Sequence, residues 1–331
     1  MRQTGWEFFS RRTRSVGTAR QSRQEPKGPA VTLQRTIARR VERNGTALHS
    51  GLPVTIAFEP AETGTGIVFR RSDMDGDAAL IPARFDHVAD TRLCTVIANG
   101  QGAHIATIEH VMAALSGMNI DNIIVAVSAP ETPVMDGSAQ PFIDMIREAG
   151  IVEQAAPRRV LRVLKEITVG EGDYWARLQP SESFRLSFNI AFDNPLLKQQ
   201  STQFHPDFGD FEKDIAQART FCLFEEIEQM RAAGLAKGGS LDNAVVVQGD
   251  KVLNPEGLRY PDESVRHKLL DAIGDLRTAG YAILGHYHGE RAGHALNNRL
   301  LRALFADKDA WRIEDAAATD WEAARTADAA D

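Results

Sequence analysis

The sequence predicts an α+β protein: two domains of related topology, each a β-sheet layered with helices. Three observations predict it. Runs of strand length, alternating or continuously apolar, are interleaved with 3.6-period apolar stripes. Turn residues fall between them. Both halves run strands, helix, strand, helix, a repeat of pattern rather than of letters. The expected domains are residues 32–155 and 156–312.

In the first half, ordered sequence is expected from about Thr32. LQRTIARRVE reads as a strand, RNG as a turn, and PVTIAFEP and GIVFRR as further strands. LCTVIANGQGAHIAT reads as a hairpin turning at Asn99-Gly100, the dipeptide that best fits a tight hairpin turn. In TIEHVMAALSG, Ile108, Val111, Met112 and Leu115 make a helical stripe with Gly117 as its stop. DNIIVAVSA is a buried strand and SAQPFIDMIREAG a second helix.

The pattern pauses between Glu153 and Pro157, then restarts. RRVLRVLKEITV and YWARLQP form a hairpin around GEGD, and FRLSFNIAF is another strand. FEEIEQMRAAG is a helix and VVVQGDKVLN a small hairpin. PDESVRHKLLDAIGDLRTAG is a long helix, capped by Asp262 and stopped at Gly280. YAILGHYHG is a strand and HALNNRLLRALF the closing helix.

Composition narrows the function. With 331 residues, 43% hydrophobic and 25% charged, the chain can bury a sizeable core. A net charge of −7 argues against nucleic acid as the partner. No apolar run reaches membrane-spanning length, so no stable membrane insertion is expected. Cys94 and Cys222 are too few for a disulfide scaffold and form no CxxC pair, which points to the cytoplasm. Nothing demands more than a monomer. Residues 1–31, basic and without the apolar core of a secretory signal, are expected to be a disordered extension. Residues 313–331 are expected to be a flexible acidic tail.

His267, Asp271 and Asp275 recur every fourth residue, so they stack on one helix face beside the stripe Leu269, Ala272, Ile273 and Leu276. Histidine and aspartate at i, i+4 can converge on one metal ion, though such a pair is more often a surface ion pair. Their segment is apolar enough to be buried, and a buried carboxylate needs a cation or donors. Glu109-His110 is the candidate for a third ligand. Adjacent helix residues diverge by about 100°, so one would bind metal while the other reaches an attacking water. On that dipeptide alone, a solvated glutamate and a core histidine is the plainer reading. HExxH is absent. His294, at a helix start, is a candidate general acid or a first-turn residue; Thr220 is a candidate donor or a strand-edge threonine. Lys268, next to His267, would usually be a solvated charge. His49 and Cys94 are further possibilities, each more often structural. There is no P-loop and no GxSxG elbow.

Taken together, TIEHVMAALSG, MDGSAQPF, ARTF, GLAKGGSLDNAVV, VRHKLLDAIGD and GHALNNRLL closely resemble, in order from about Leu33 to Trp311, the UDP-3-O-acyl-N-acetylglucosamine deacetylases of lipid A biosynthesis. The resemblance implies two domains packed face to face with the active site between them. It implies a single catalytic Zn2+ on His110, His267 and Asp271, with Glu109 as general base. It implies His294 as second catalytic histidine, Asp275 as the residue orienting it, Thr220 as oxyanion donor and Lys268 as active-site lysine. The substrate would be the small molecule UDP-3-O-(3-hydroxyacyl)-N-acetylglucosamine, cleaved to acetate and the free amine. Its acyl chain would run past Phe221, Phe224, Ile227, Gly239, Ser240 and Val246, with Asn243 a polar choice among these walls. Arg291 is a candidate diphosphate contact. Two rivals stand: a zinc amidase acting on another N-acetyl sugar or a peptide amide, and a non-catalytic binding protein.

Overall fold

The computed structural model describes residue 1, residues 32–206 and residues 209–316. The expected extension at 2–31 and tail residues 317–331 lie outside the described residues.

The first half is built on a five-stranded sheet whose spatial order is Val41–Thr46, Pro53–Pro60, Ile123–Val127, Ile67–Arg71, Leu80–Pro82. Its middle strand, Ile123–Val127, runs antiparallel to Pro53–Pro60 and parallel to Ile67–Arg71. It reads as an unbroken apolar run because both its faces are covered. In sequence it lies between helix α1 (Glu109–Gly117) and helix α2 (Gln140–Ala149).

The second half adds helix α3 (Phe224–Ala232), helix α4 (Glu263–Arg277) and helix α5 (His294–Ala306). Its seven-stranded sheet is centred on Ala282–Glu290. That strand pairs antiparallel with Tyr174–Gln179 and parallel with Arg159–Val163 and Phe184–Ile190. It follows α4 and precedes α5, as Ile123–Val127 follows α1 and precedes α2. α1 and α4 therefore hold equivalent places in the two halves, and they pack on each other. Their apolar side chains, among them Val111, Met112, Leu115, Leu269, Leu270 and Ile273, belong to one continuous core. Each buried Leu or Ile contributes about 2 kcal/mol. α1 is buried on every side from Glu109 to Leu115, as a helix between two layers must be.

Several local expectations are corrected. RNG is not a turn: Val41–Thr46 runs through it as a strand, with Gly45 opposite Val54. A Cβ on Gly45 would meet Pro133 Cβ at 2.7 Å, so the glycine marks a close approach rather than a bend. The pause at Glu153 to Pro157 is a strand, Ile151–Pro157, paired with Leu33–Ile37. The hairpin at Asn99 is present, but the left-handed residue is Gly102, at φ +96°. α1 does end at Gly117, yet Asn119 supplies the left-handed turn at φ +56°. Gly117 instead makes room for the Phe211 ring, which a Cβ would meet at 2.0 Å. Asp262 sits at the start of α4 without capping it, because its carboxylate pairs with Arg266 at 2.6 Å. Trp311–Asp315 pairs with Arg159–Val163, so regular structure extends past the expected boundary at 312.

Candidate metal centre and cavity

The site forms where α1 touches α4. Gly274 faces the α1 backbone, and a Cβ there would lie 2.0 Å from the Glu109 carbonyl oxygen and 3.1 Å from the Ala113 nitrogen. Glycine is required for that approach. It brings His110 of α1 to the face of α4 that carries His267 and Asp271. One ligand atom from each of these three residues lies within 4.8 Å of the others. His267 Nε2 is 3.3 Å and His110 Nε2 3.7 Å from Asp271 Oδ1. The two imidazole rings meet edge to face, with centroids 4.9 Å apart.

All three side chains are buried. Asp271 Oδ2 accepts from Lys268 Nζ at 2.9 Å, whereas Asp271 Oδ1 is buried without a hydrogen-bond partner. An orphaned anionic oxygen between two imidazole nitrogens is the pattern a cation would complete. Burial pushes His110 down to about 3, and burial also lowers His267; both rings are thus neutral, the form that binds metal. Burial opposes ionisation of Asp271, but the Lys268 ammonium outweighs it and holds the carboxyl well below its ordinary range. His267 Nδ1 meets the Ala218 carbonyl at 2.9 Å, so Nδ1 carries the proton and Nε2 faces the site.

Around this trio stand the proton-transfer candidates. Burial, reinforced by Asp271 and Asp275, pushes Glu109 up to about 7. His294 Nδ1 contacts Asp275 Oδ2 at 2.8 Å. Burial alone would lower its pKa, but Asp275 outweighs that and raises it to about 9. Asp275 Oδ2 also accepts from Asn297 Nδ2 at 2.8 Å, and the Tyr287 hydroxyl donates to Asn297 Oδ1 at 2.6 Å. Thr220 follows Arg219, which is fully buried. Arg219 Nε donates to Glu263 Oε1 at 2.9 Å and its Nη2 to the Gly257 carbonyl at 2.7 Å. This ties the segment carrying Thr220 to the start of α4.

These groups open onto a cavity of about 670 Å³ lined by Glu109, His110, Thr220, His267, Lys268, Asp271 and His294 at its polar end. Phe221, Phe224, Ile227, Gly239, Ser240 and Val246 line the same cavity. Asn243 does not. Its amide group accepts from the Ser240 N–H and donates to the Gly238 carbonyl, bracing the loop behind the wall. Arg291 also lies outside the lining; its guanidinium stacks over the Tyr174 ring at 4.4 Å. His49 lines the cavity, with its Nδ1 buried and unpartnered. Cys94 and Cys222 are free, and burial pushes their thiols up to about 12 and about 11, so neither is a thiolate near neutrality.

Sequence reasoning missed Thr95, Asn297 and Tyr287, and the cavity residues Leu48, Leu93 and Phe192. Asn297 carried a signal: it lies one turn after His294 on the buried phase of α5. Thr95 carried none. Among the described residues no helix is long and apolar enough to cross a membrane.

A family model described as UDP-3-O-acyl N-acetylglycosamine deacetylase matches residues 34–306. The chain is 49% identical over 285 residues to proteins named UDP-3-O-acyl-N-acetylglucosamine deacetylase from Shewanella frigidimarina and Shewanella oneidensis. It is 48% identical to the protein of that name from Shewanella baltica, the alignments covering 86% of this chain and 93% of each relative.

Proposed function

The chain belongs to the UDP-3-O-acyl-N-acetylglucosamine deacetylase family, and from that premise we propose how its residues act. It hydrolyses the acetamide of UDP-3-O-(3-hydroxyacyl)-N-acetylglucosamine, giving acetate and the free amine in lipid A biosynthesis. Asp271 Oδ1 carries the proposal for the site: a buried, unpartnered carboxylate oxygen between two imidazole nitrogens at the wall of a largely apolar cavity.

Two neutral imidazoles and a carboxylate form a donor set that suits zinc. His110, His267 and Asp271 would hold the ion, which when bound supplies Lewis acidity toward the acetamide carbonyl and the attacking water. Glu109, poised near neutrality, accepts the proton that water gives up. The Thr220 hydroxyl donates to the oxyanion, a contribution of about 3 kcal/mol to the barrier. Lys268 adds positive charge beside it. His294 has Nδ1 engaged by Asp275, so its Nε2 proton goes to the departing amine as the C–N bond breaks.

The acyl chain lies along Phe221, Phe224, Ile227 and Val246, with Gly239 and Ser240 giving it room. Arg291, three residues before His294, is the proposed diphosphate contact. The protein acts as a cytoplasmic monomer. Metal analysis alongside acetate release from the UDP-linked substrate tests the reading. Bound metal with no acetate released from that substrate would favour another amide, and neither metal nor hydrolysis a binding role.

A further inference from the structure

Thr95 touches Glu109 and Asp275, the carboxylate that holds His294. It is 2% exposed and precedes the strand Val96–Ala98. Its main-chain N–H donates to Glu109 Oε2 at 3.0 Å, and its hydroxyl donates to Asp275 Oδ1 at 2.6 Å. Resting on the roles proposed above for Glu109 and His294, we propose that Thr95 is a positioning residue that holds the proton acceptor and the proton donor of the deacetylation in one frame.

Thr95 occupies Glu109 Oε2, and among the described residues no donor meets Glu109 Oε1, which leaves that oxygen for the attacking water. Asp275 accepts three hydrogen bonds: two at Oδ2, from His294 and Asn297, and one at Oδ1, from Thr95. Contacts at one oxygen alone let a carboxylate pivot. The third, at the other oxygen, fixes its plane and hence the direction in which it holds the imidazole. An ionised carboxylate only accepts, so the threonine proton is committed to it. The charged groups facing His294 are Asp275, Lys268 and Asp271 of α4 and Glu109 of α1. Thr95 bonds two of those four.

The two arms separate experimentally, because a side-chain substitution keeps the N–H that holds Glu109 and removes only the hydroxyl that holds Asp275. Thr95→Val preserves shape; Thr95→Ala removes the hydroxyl without adding apolar bulk and serves if the valine protein misfolds; Thr95→Ser keeps the donor. In metal-loaded protein, Val and Ala lower kcat by about 10-fold or more, with KM within about twofold. The alkaline limb of kcat moves to higher pH, because Asp275, short of a donor, grips the His294 proton more tightly. Ser restores both. Wild-type kcat with an unmoved limb in Val and Ala overturns the proposal. So does a kcat loss that tracks folded fraction or metal content and is not restored by Ser. Wild-type turnover in Glu109→Gln, by contrast, would remove the base itself, whatever Thr95 does.

Discussion

Gly274 and the Glu109 carbonyl are in backbone contact: a Cβ on the glycine would sit 2.0 Å from that oxygen. Gly274→Ala must therefore push α4 from α1 by on the order of 1 Å, and the atoms that resist are main chain. The expected cost is about 1–3 kcal/mol, read as a lower urea midpoint. Metal affinity falls with it, because His110 leaves His267 and Asp271. An unchanged midpoint and metal content would show that the helices part freely.

Glu109→Gln keeps the side chain's size and its acceptor for the Thr95 N–H. It is expected to keep metal and lose about 10²–10⁴ of kcat. Metal analysis with single-turnover kinetics checks this, and an unchanged turnover number removes Glu109 as base.

Asp275 outweighs burial and raises His294 to about 9. Its cation, the form that can protonate the amine, is present below that value and lost above it, so kcat falls as pH rises through about 9. The stability linkage has the same sign. A folded pKa above the ordinary imidazole value contributes stability in full below about 6.5 and loses it as pH rises through about 9. Asp275→Asn removes the charge that outweighs burial, and the alkaline limb of kcat then moves down by at least about one pH unit. Matching limbs in both proteins would assign the limb to another group.

Arg219 and Glu263 are both about 1% exposed and joined at 2.9 Å. Arg219→Met leaves a buried carboxylate without its cation, and a loss of about 3–5 kcal/mol is expected. Thermal unfolding measures it. The double variant Arg219→Met, Glu263→Leu should recover only part of the loss: it ends the unpaired charge but strands the Arg219 and Arg259 main-chain N–H groups that donate to Glu263. A single variant as stable as wild type would show that the Arg219 and Arg259 main-chain donors suffice for the Glu263 carboxylate.

What was legible in the sequence is what repeats locally. The α1 stripe, the i, i+4 ladder on α4 and the alternation of Ala282–Glu290 each follow from one element's own period. The assignment of ligands needed six motifs read together, because no period says that His110 meets a helix more than 150 residues later. What stayed hidden is non-local. Leu33–Ile37 pairs with Ile151–Pro157 across more than a hundred residues, and Gly45 looked like a turn because its neighbour Pro133 is distant in the chain. Thr95 gives no sign of itself: a threonine opening a strand is unremarkable until Glu109 and Asp275 arrive on either side.

Asp271→Ala decides whether His110, His267 and Asp271 hold one catalytic metal ion, with metal content by mass spectrometry and acetate release measured on the same sample. Loss of both together is the expected result. Full turnover in metal-free Asp271→Ala protein would contradict it.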